Sequence, residues 1–364
     1  MNQNKLKEAH KILESCIGKK GVWAGIPRYK DQCWTRDFVI AVENVLLNSN
    51  RKEIVKNHLR NLGNRQWENG QIPIMYLDNT FRWLATKAWK SFVERRKSFL
   101  LGKFFSKGGI GDLSSWTRDS EILYIIGAMN YINKTNDTEF LDEAMPKIKK
   151  ALDYIENVLM ENGLVYGGDW RDTRPDLDHK FLLTNNCFLY QAYKLLGETK
   201  KSERLKNLIN EKFWLGRYYR NYLYEGVDKD AFDTLGNALA ILLGVADFNK
   251  AQFILQEAKN MDTPFGYMVN GVTLPPKNKE EEETMNRTPQ HSIIWPFISG
   301  FMILALIKEG KTDKAKEQFE KWNRLEGLRE FYDPKTGRGG GSHNQLWSAC
   351  LYIRCFDTLG KSNL

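Results

Sequence analysis

Residues 119–159 read DSEILYIIGAMNYINKTNDTEFLDEAMPKIKKALDYIENVL. Ile122, Ile125, Ile126, Met129 and Ile132 recur at the three- and four-residue spacing of a helical apolar face. The pattern stops in the polar NKTND of residues 133–137. It resumes with Leu141, Ile148, Leu152, Ile155 and Leu159, now with charged residues on the other face, and ends before Gly163. The two patterns predict a helical hairpin whose first helix is apolar nearly all round and whose second is amphipathic.

The same alternation runs along the whole chain. Helices rich in apolar or small residues are predicted to begin near Asp37, Asp119, Asn185, Gly236, Ser292 and Gln345. Amphipathic helices rich in Lys and Glu are predicted at 6–16, 53–62, 141–159, 203–213, 251–258 and 313–322. A helix apolar all round has to be buried, and one with a polar face borders water. An inner ring of six wrapped by an outer ring of six satisfies both sets, so the expected fold is all-α, an (α/α)6 barrel. An open α-solenoid is the alternative, but solenoids keep a fixed repeat period and these inner helices start at uneven intervals. Strand patterns are sparse and no Pro/Gly/Ser-rich linker interrupts the chain, so residues 1–364 are expected to form a single domain.

Bulk properties narrow the function classes. Hydrophobic residues make up 42% and aromatics 12%, enough for a sizeable core. Lys and Arg outnumber Asp and Glu by 54 to 45, a net charge of +9, but the excess is dispersed. Its densest stretch, residues 87–107, mixes basic and aromatic residues without any nucleic-acid-binding motif, and reads as an ordinary cationic segment with buried aromatics. No nucleic-acid partner is expected. Cys16, Cys33, Cys187, Cys350 and Cys355 are scattered and lack metal-ligand spacing, so they read as reduced core thiols with no metal site. The N-terminus has no signal-like apolar region. The most apolar run, 293–307, is too short for a membrane span and contains Pro296 and Gly300. The expected location is the cytoplasm, away from membranes.

Polar residues gather just before the inner helices: Asp31, Arg36 and Asp37; Asp112, Arg118 and Asp119; Asp169, Arg171, Asp172 and Arg174; Asp230, Asp233 and Asn237; Arg287, Gln290 and His291; Glu330, Asp333, Arg338, His343 and Gln345. In a barrel these helix starts share one rim. Trp34, Trp116, Trp170, Trp295 and Trp347 stand among them. Helix capping and ion pairing are the alternative uses of such Asp and Arg residues, and capping fits Asp37 and Asp119. Capping gives no reason for Trp to recur beside the acids, whereas acids, arginines and flat indoles lining one cavity suit a small carbohydrate. Glycoside hydrolysis needs one carboxylic acid to protonate the leaving oxygen and a second carboxylate to attack or to activate water. Asp169, Asp172, Asp176 and Asp178 in one loop, and Glu330 and Asp333 in another, are the candidates, and spacing does not choose among them.

A resemblance ranks them. KDQCWTRDF (30–38) followed by EIVKNHL (53–59) resembles the opening helical pair of the neutral and alkaline invertases. RDSEILYIIGAMNYINKTND, GDWRDTR, FDTLGN, QHSIIWP and LREFYDPKTGR resemble further segments of that family in the same order, over most of the chain. The amylo-α-1,6-glucosidase part of glycogen debranching enzymes and the trehalases are similar more distantly. The resemblance implies an inverting glycosidase without cofactor or metal, with Asp172 as general acid and Glu330 as general base. It also implies that Asp37 and Asp119 hold the sugar. Together with the rim pattern, it assigns Asp31, Trp34, Arg36, Asp37, Trp116, Asp119, Trp170, Arg174, Asp233, Asn237, His291, Trp295 and Gln345 to substrate binding. HSIIWP and SHNQLWS depart from the invertase pattern where the pocket is shaped, which leaves two substrate classes: a sucrose-type sugar, or the α-glucosidic ends and branches of oligosaccharides.

Two other classes fit an α/α ring. A sugar epimerase needs paired basic residues to move a proton at carbon, and only His179, His291 and His343 are available for that. A non-catalytic sugar-binding barrel needs neither acid.

Overall fold

The computed structural model describes residues 2–85, 117–276, 279, 282–283, 286 and 288–361. The basic segment 87–107 singled out above lies outside the described residues, as do Trp116, Asp112 and Arg287.

The outer helices are α1 (Gln3–Cys16), α4 (Lys52–Gly63), α6 (Thr138–Tyr154), α8 (Thr199–Lys212), α10 (Phe248–Glu257) and α12 (Thr312–Arg324). The first inner helix is built of α2 (Thr35–Asp37), a π-helical turn (Phe38–Val42) and α3 (Glu43–Asn48) in direct succession. The other inner helices are α5 (Ser120–Thr135), α7 (Leu183–Leu195), α9 (Thr234–Leu243), α11 (Pro296–Lys308) and α13 (Leu346–Lys361). Burial follows the sequence pattern. In α11 every residue from Pro296 to Leu306 is buried, whereas α12 buries only Ala315, Gln318, Phe319, Lys321 and Trp322.

The inner helices form a closed ring. Starting from the first, α5, α7, α9, α11 and α13 each pack on the next, and α13 packs back on the π-helical turn of the first. An open solenoid is thereby excluded, and the fold is the (α/α)6 barrel. The seam joins the two ends of the chain. Gly25–Ile26 pairs antiparallel with Asn344–Gln345, the Leu346 N–H donates to the Ala24 carbonyl at 2.9 Å, and α1 packs on α13. One apolar cluster runs through the whole ring, and all five cysteines are free and buried in the interior.

Among the described residues, six two-stranded ladders of two or three residues per strand decorate the connections. They are too short for a period-two pattern, which is why the sequence showed so little of them. Three lead straight into inner helices: Gln32–Trp34 into α2, Phe181–Leu182 into α7, and Asn344–Gln345 into α13. Backbone pairing thus fixes where Trp34 and Gln345 enter the rim. The helix expected near Ser292 begins at Pro296 instead. Pro296 at the first helical position suits its missing N–H, and residues 288–295 run as a connection along the rim. Among the described residues no helix is long and apolar enough to cross a membrane.

Candidate active site

A cleft opens on the rim where the inner helices begin. Its walls include Tyr29, Trp34, Arg36, Asp37, Trp170, Asp172, Thr288, Gln290, Trp295, Glu330, Gln345 and Trp347, so two of the candidate acids face one space from non-adjacent hairpins.

Asp172 lies in the loop between α6 and α7, and its side chain is 28% exposed. Gln290 Nε2 donates to its Oδ1 at 3.0 Å, and Arg36 Nη1 stands 3.5 Å from its Oδ2. Its rivals in the loop are committed elsewhere. Asp169 is fully buried and takes both Nε (2.9 Å) and Nη2 (2.8 Å) of Arg171, whose Nη1 donates to Asn221. Asp176 is bound by both ends of the Arg174 guanidinium. Asp178 pairs loosely with Arg118 and His179 away from the cleft.

Glu330 precedes a hairpin in which Phe331–Tyr332 pairs with Gly339–Gly340. Its carboxylate receives three donors: Arg28 Nη1 (2.8 Å) and the Ser342 N–H (2.7 Å) on Oε2, and the Tyr29 hydroxyl (2.6 Å) on Oε1. Burial and the neighbouring Glu330 push the Tyr29 phenol well above its usual value, so it remains a donor. Gly341 sits at φ +70, and a Cβ there would run into the Glu330 carboxylate, so the turn requires glycine. The other acid of this segment, Asp333, bonds Thr336 and Lys335 of its own turn.

Arg36 is buried and binds Asp119 in bidentate fashion at 3.0 and 3.1 Å. Burial works against its charge, but Asp119 and Asp172 overcome this and keep the guanidinium cationic. Neither Asp37 nor Asp119 caps a helix with its side chain, so the capping expectation is corrected. Asp119 anchors Arg36 and does not line the cleft. Asp37 does line it, and accepts from Gln345 Nε2 at 3.3 Å. Burial raises Asp37 well above the usual carboxylate range; Arg36 opposes this, and Glu330 and Asp172 reinforce it. A neutral Asp37 can both donate to and accept from a hydroxyl.

The cleft floor is aromatic. Trp170 meets Trp295 edge-on at 5.2 Å, Trp295 meets Trp347 at 5.5 Å, and Trp347 stacks on Phe297 at 4.0 Å. Nε1 of Trp170, Nε1 of Trp347 and Oε1 of Gln345 are buried without a hydrogen-bond partner among the described residues. Trp34 forms a side wall against Tyr29, with its Nε1 donating to Gln32.

Other residues assigned to substrate binding lie away from the cleft. Asp31 is tied to Arg82 in bidentate fashion. Arg174 bridges Asp176 and Asp228, Asp233 accepts from Thr184, and Asn237 bonds the Tyr219 backbone. His291 is outside the lining, its imidazole held below the usual value by burial and by Arg174. The sequence reading overlooked Arg28, Tyr29 and Thr288, which belong to the site. Arg28 and Tyr29 lie immediately before KDQCWTRDF, and only proximity in the fold distinguishes them from ordinary surface residues. Among the described residues no cluster of three or more His, Cys, Asp or Glu could hold a metal.

No protein-family model and no curated protein matches the chain. Solved structures do. A GH63 mannosylglycerate hydrolase from Thermus thermophilus, in complex with Tris and D-glycerate, is similar with a TM-score of 0.70 at 14% identity, over 95% of this chain and 98% of its own. A glycosidase in complex with glucose is similar with a TM-score of 0.68 at 12% identity, over 99% of each chain. At such identities the likeness is one of fold, and the invertase resemblance is carried by sequence segments alone.

Proposed function

We propose that this chain is an inverting glycoside hydrolase in which Asp172 protonates the glycosidic oxygen while Glu330 takes a proton from an attacking water. The observation that carries the reading is that these two acids, alone among the six loop candidates, face one tryptophan-floored cleft. Both oxygens of Glu330 are already bonded, but unequally. Arg28 and Ser342 occupy Oε2, while among the described residues Oε1 holds only the Tyr29 hydroxyl and can accept from a water. Water oxygen then bonds to the anomeric carbon as the bond to the leaving oxygen breaks. The leaving oxygen departs with the Asp172 proton, and the water proton stays on Glu330. Exchange with solvent restores both groups.

The substrate we infer is a small α-linked sugar or oligosaccharide, sucrose-like or carrying an α-glucosidic end, acted on within a single catalytic domain and without cofactor. That solved neighbours bind glucose, and that one is a mannosylglycerate hydrolase, supports a compact glycoside and adds mannosyl substrates to those worth testing. The epimerase reading loses support because no histidine lines the cleft among the described residues. The test is an assay on sucrose, trehalose, maltose, isomaltose, limit dextrin and mannosylglycerate with wild type, Asp172→Asn and Glu330→Gln. Each substitution should lower turnover about a hundredfold or more in a folded protein. Undiminished sugar binding by a wild type that hydrolyses nothing would make the chain a binding module.

A further inference from the structure

The tripeptide Thr288–Pro289–Gln290 touches both halves of the catalytic pair. On one side the Gln290 amide has a defined orientation. Its Oε1 accepts from the Thr173 N–H at 3.1 Å and from the Thr173 hydroxyl at 2.6 Å. A backbone N–H can only donate, so Oε1 must face Thr173, and Nε2 is thereby directed at Asp172 Oδ1, 3.0 Å away. On the other side, Thr288 Oγ1 accepts from Arg28 Nη2 at 3.1 Å, and Nη1 of the same guanidinium holds Glu330. Between them the Pro289 carbonyl accepts from Trp295 Nε1 at 2.7 Å. One short segment, pinned to the cleft floor, therefore bonds the acid through a neutral amide and the base through a cation.

We propose that Gln290 is a positioning residue for proton delivery by Asp172, and that this tripeptide is the link that keeps acid and base in register. The inference rests on the reading of Asp172 as the acid. A donor fixed on Oδ1 restricts rotation of the carboxyl and so holds it in one orientation for proton delivery. Gln290→Met removes donor and acceptor at similar length. Gln290→Glu keeps an acceptor for Thr173 and sets a second carboxyl against Asp172.

The experiment compares kcat/KM for the disaccharide hydrolysed fastest in the panel and for the α-fluoride of the same glycosyl group, whose leaving group is a weak base needing little protonation. Both variants should lose more on the disaccharide than on the fluoride, Gln290→Met by at least about tenfold. Equal losses on the two substrates, or no loss at all, would overturn the proposal. Should Gln290→Met fail to fold, the same comparison on Gln290→Glu decides alone. The underlying reading fails differently: Asp172→Asn would then hydrolyse the disaccharide normally, or wild type would act on neither substrate, whatever the Gln290 variants do.

Discussion

Arg28 and Glu330, 302 residues apart in the chain, meet at 2.8 Å across the seam where the first and last hairpins close the ring. The contact ties the orientation of the proposed base to ring closure itself. The α1–α13 packing and the Gly25–Gln345 register are what bring the two loops together.

The base should therefore report on Arg28. Arg28 and Tyr29 each hold one oxygen of the carboxylate, so Arg28→Met and Tyr29→Phe should each lower kcat about tenfold with KM little changed. An unchanged kcat in both variants would show that neither residue acts through Glu330.

Stereochemistry tests the pair together. An inverting site needs room for a water, with its carboxyl groups about 6.5 to 9.5 Å apart, against about 5 to 5.5 Å in a retaining one. An α-linked substrate should release the β-anomer first, seen by proton NMR before mutarotation. Initial release of the α-anomer would remove Glu330 from its role as a water-activating base.

The tryptophans should divide into two classes. Trp34 forms a side wall beside Tyr29, so Trp34→Phe should raise KM several-fold with little change in Tm. Trp170 is locked among Trp295, Phe297 and Trp347, so Trp170→Phe should cost about 1 to 3 kcal/mol of stability. Thermal melts and KM values on one substrate distinguish the two, and a reversed pattern would exchange their roles.

Glu121, in the first turn of α5, is buried and accepts the Ile72 N–H at 3.1 Å. Burial, partly offset by that backbone bond, pushes its carboxyl up to about 7 from 4.5. A carboxyl raised in the folded state stabilises fully below its unfolded value, and that contribution is lost as pH climbs to the folded value. Glu121→Gln does not titrate. Its stability relative to wild type should be flat below about pH 4.5, rise between about 4.5 and 7, and level off at up to about 3.4 kcal/mol above its low-pH value. Urea melts at pH 4, 6 and 8 check this, and a pH-independent difference would contradict it.

How much of this was legible beforehand varies from residue to residue. The apolar character of residues 297–306 on every face, broken only by Ser299 and Gly300, pointed to a buried helix, and the charged face of residues 313–322 to a helix bordering water. The alternation of six such pairs determined the barrel, and with it the rim on which Trp34, Asp37, Asp172, Trp295, Glu330 and Gln345 lie. Periodicity is a local property of a helix, and local properties survive in a linear string.

What the tertiary structure decided is which of several equivalent side chains faces the cleft. Asp169 and Asp172 are the same residue type in the same loop, yet Arg171 folds back onto Asp169 and closes it off, while Asp172 meets Gln290 from 118 residues away. Asp31, Asp119, Asp233 and Arg174 have the same chemistry as true lining residues, but other partners claim all four: Arg82, Arg36, Thr184 and Asp228. Arg28, Tyr29 and Thr288 had no pattern to give them away, because their partner or relay, Glu330, is brought to them only when the ring closes. A hydrogen bond depends on a few tenths of an ångström between groups hundreds of residues apart, and residue spacing carries no record of that distance.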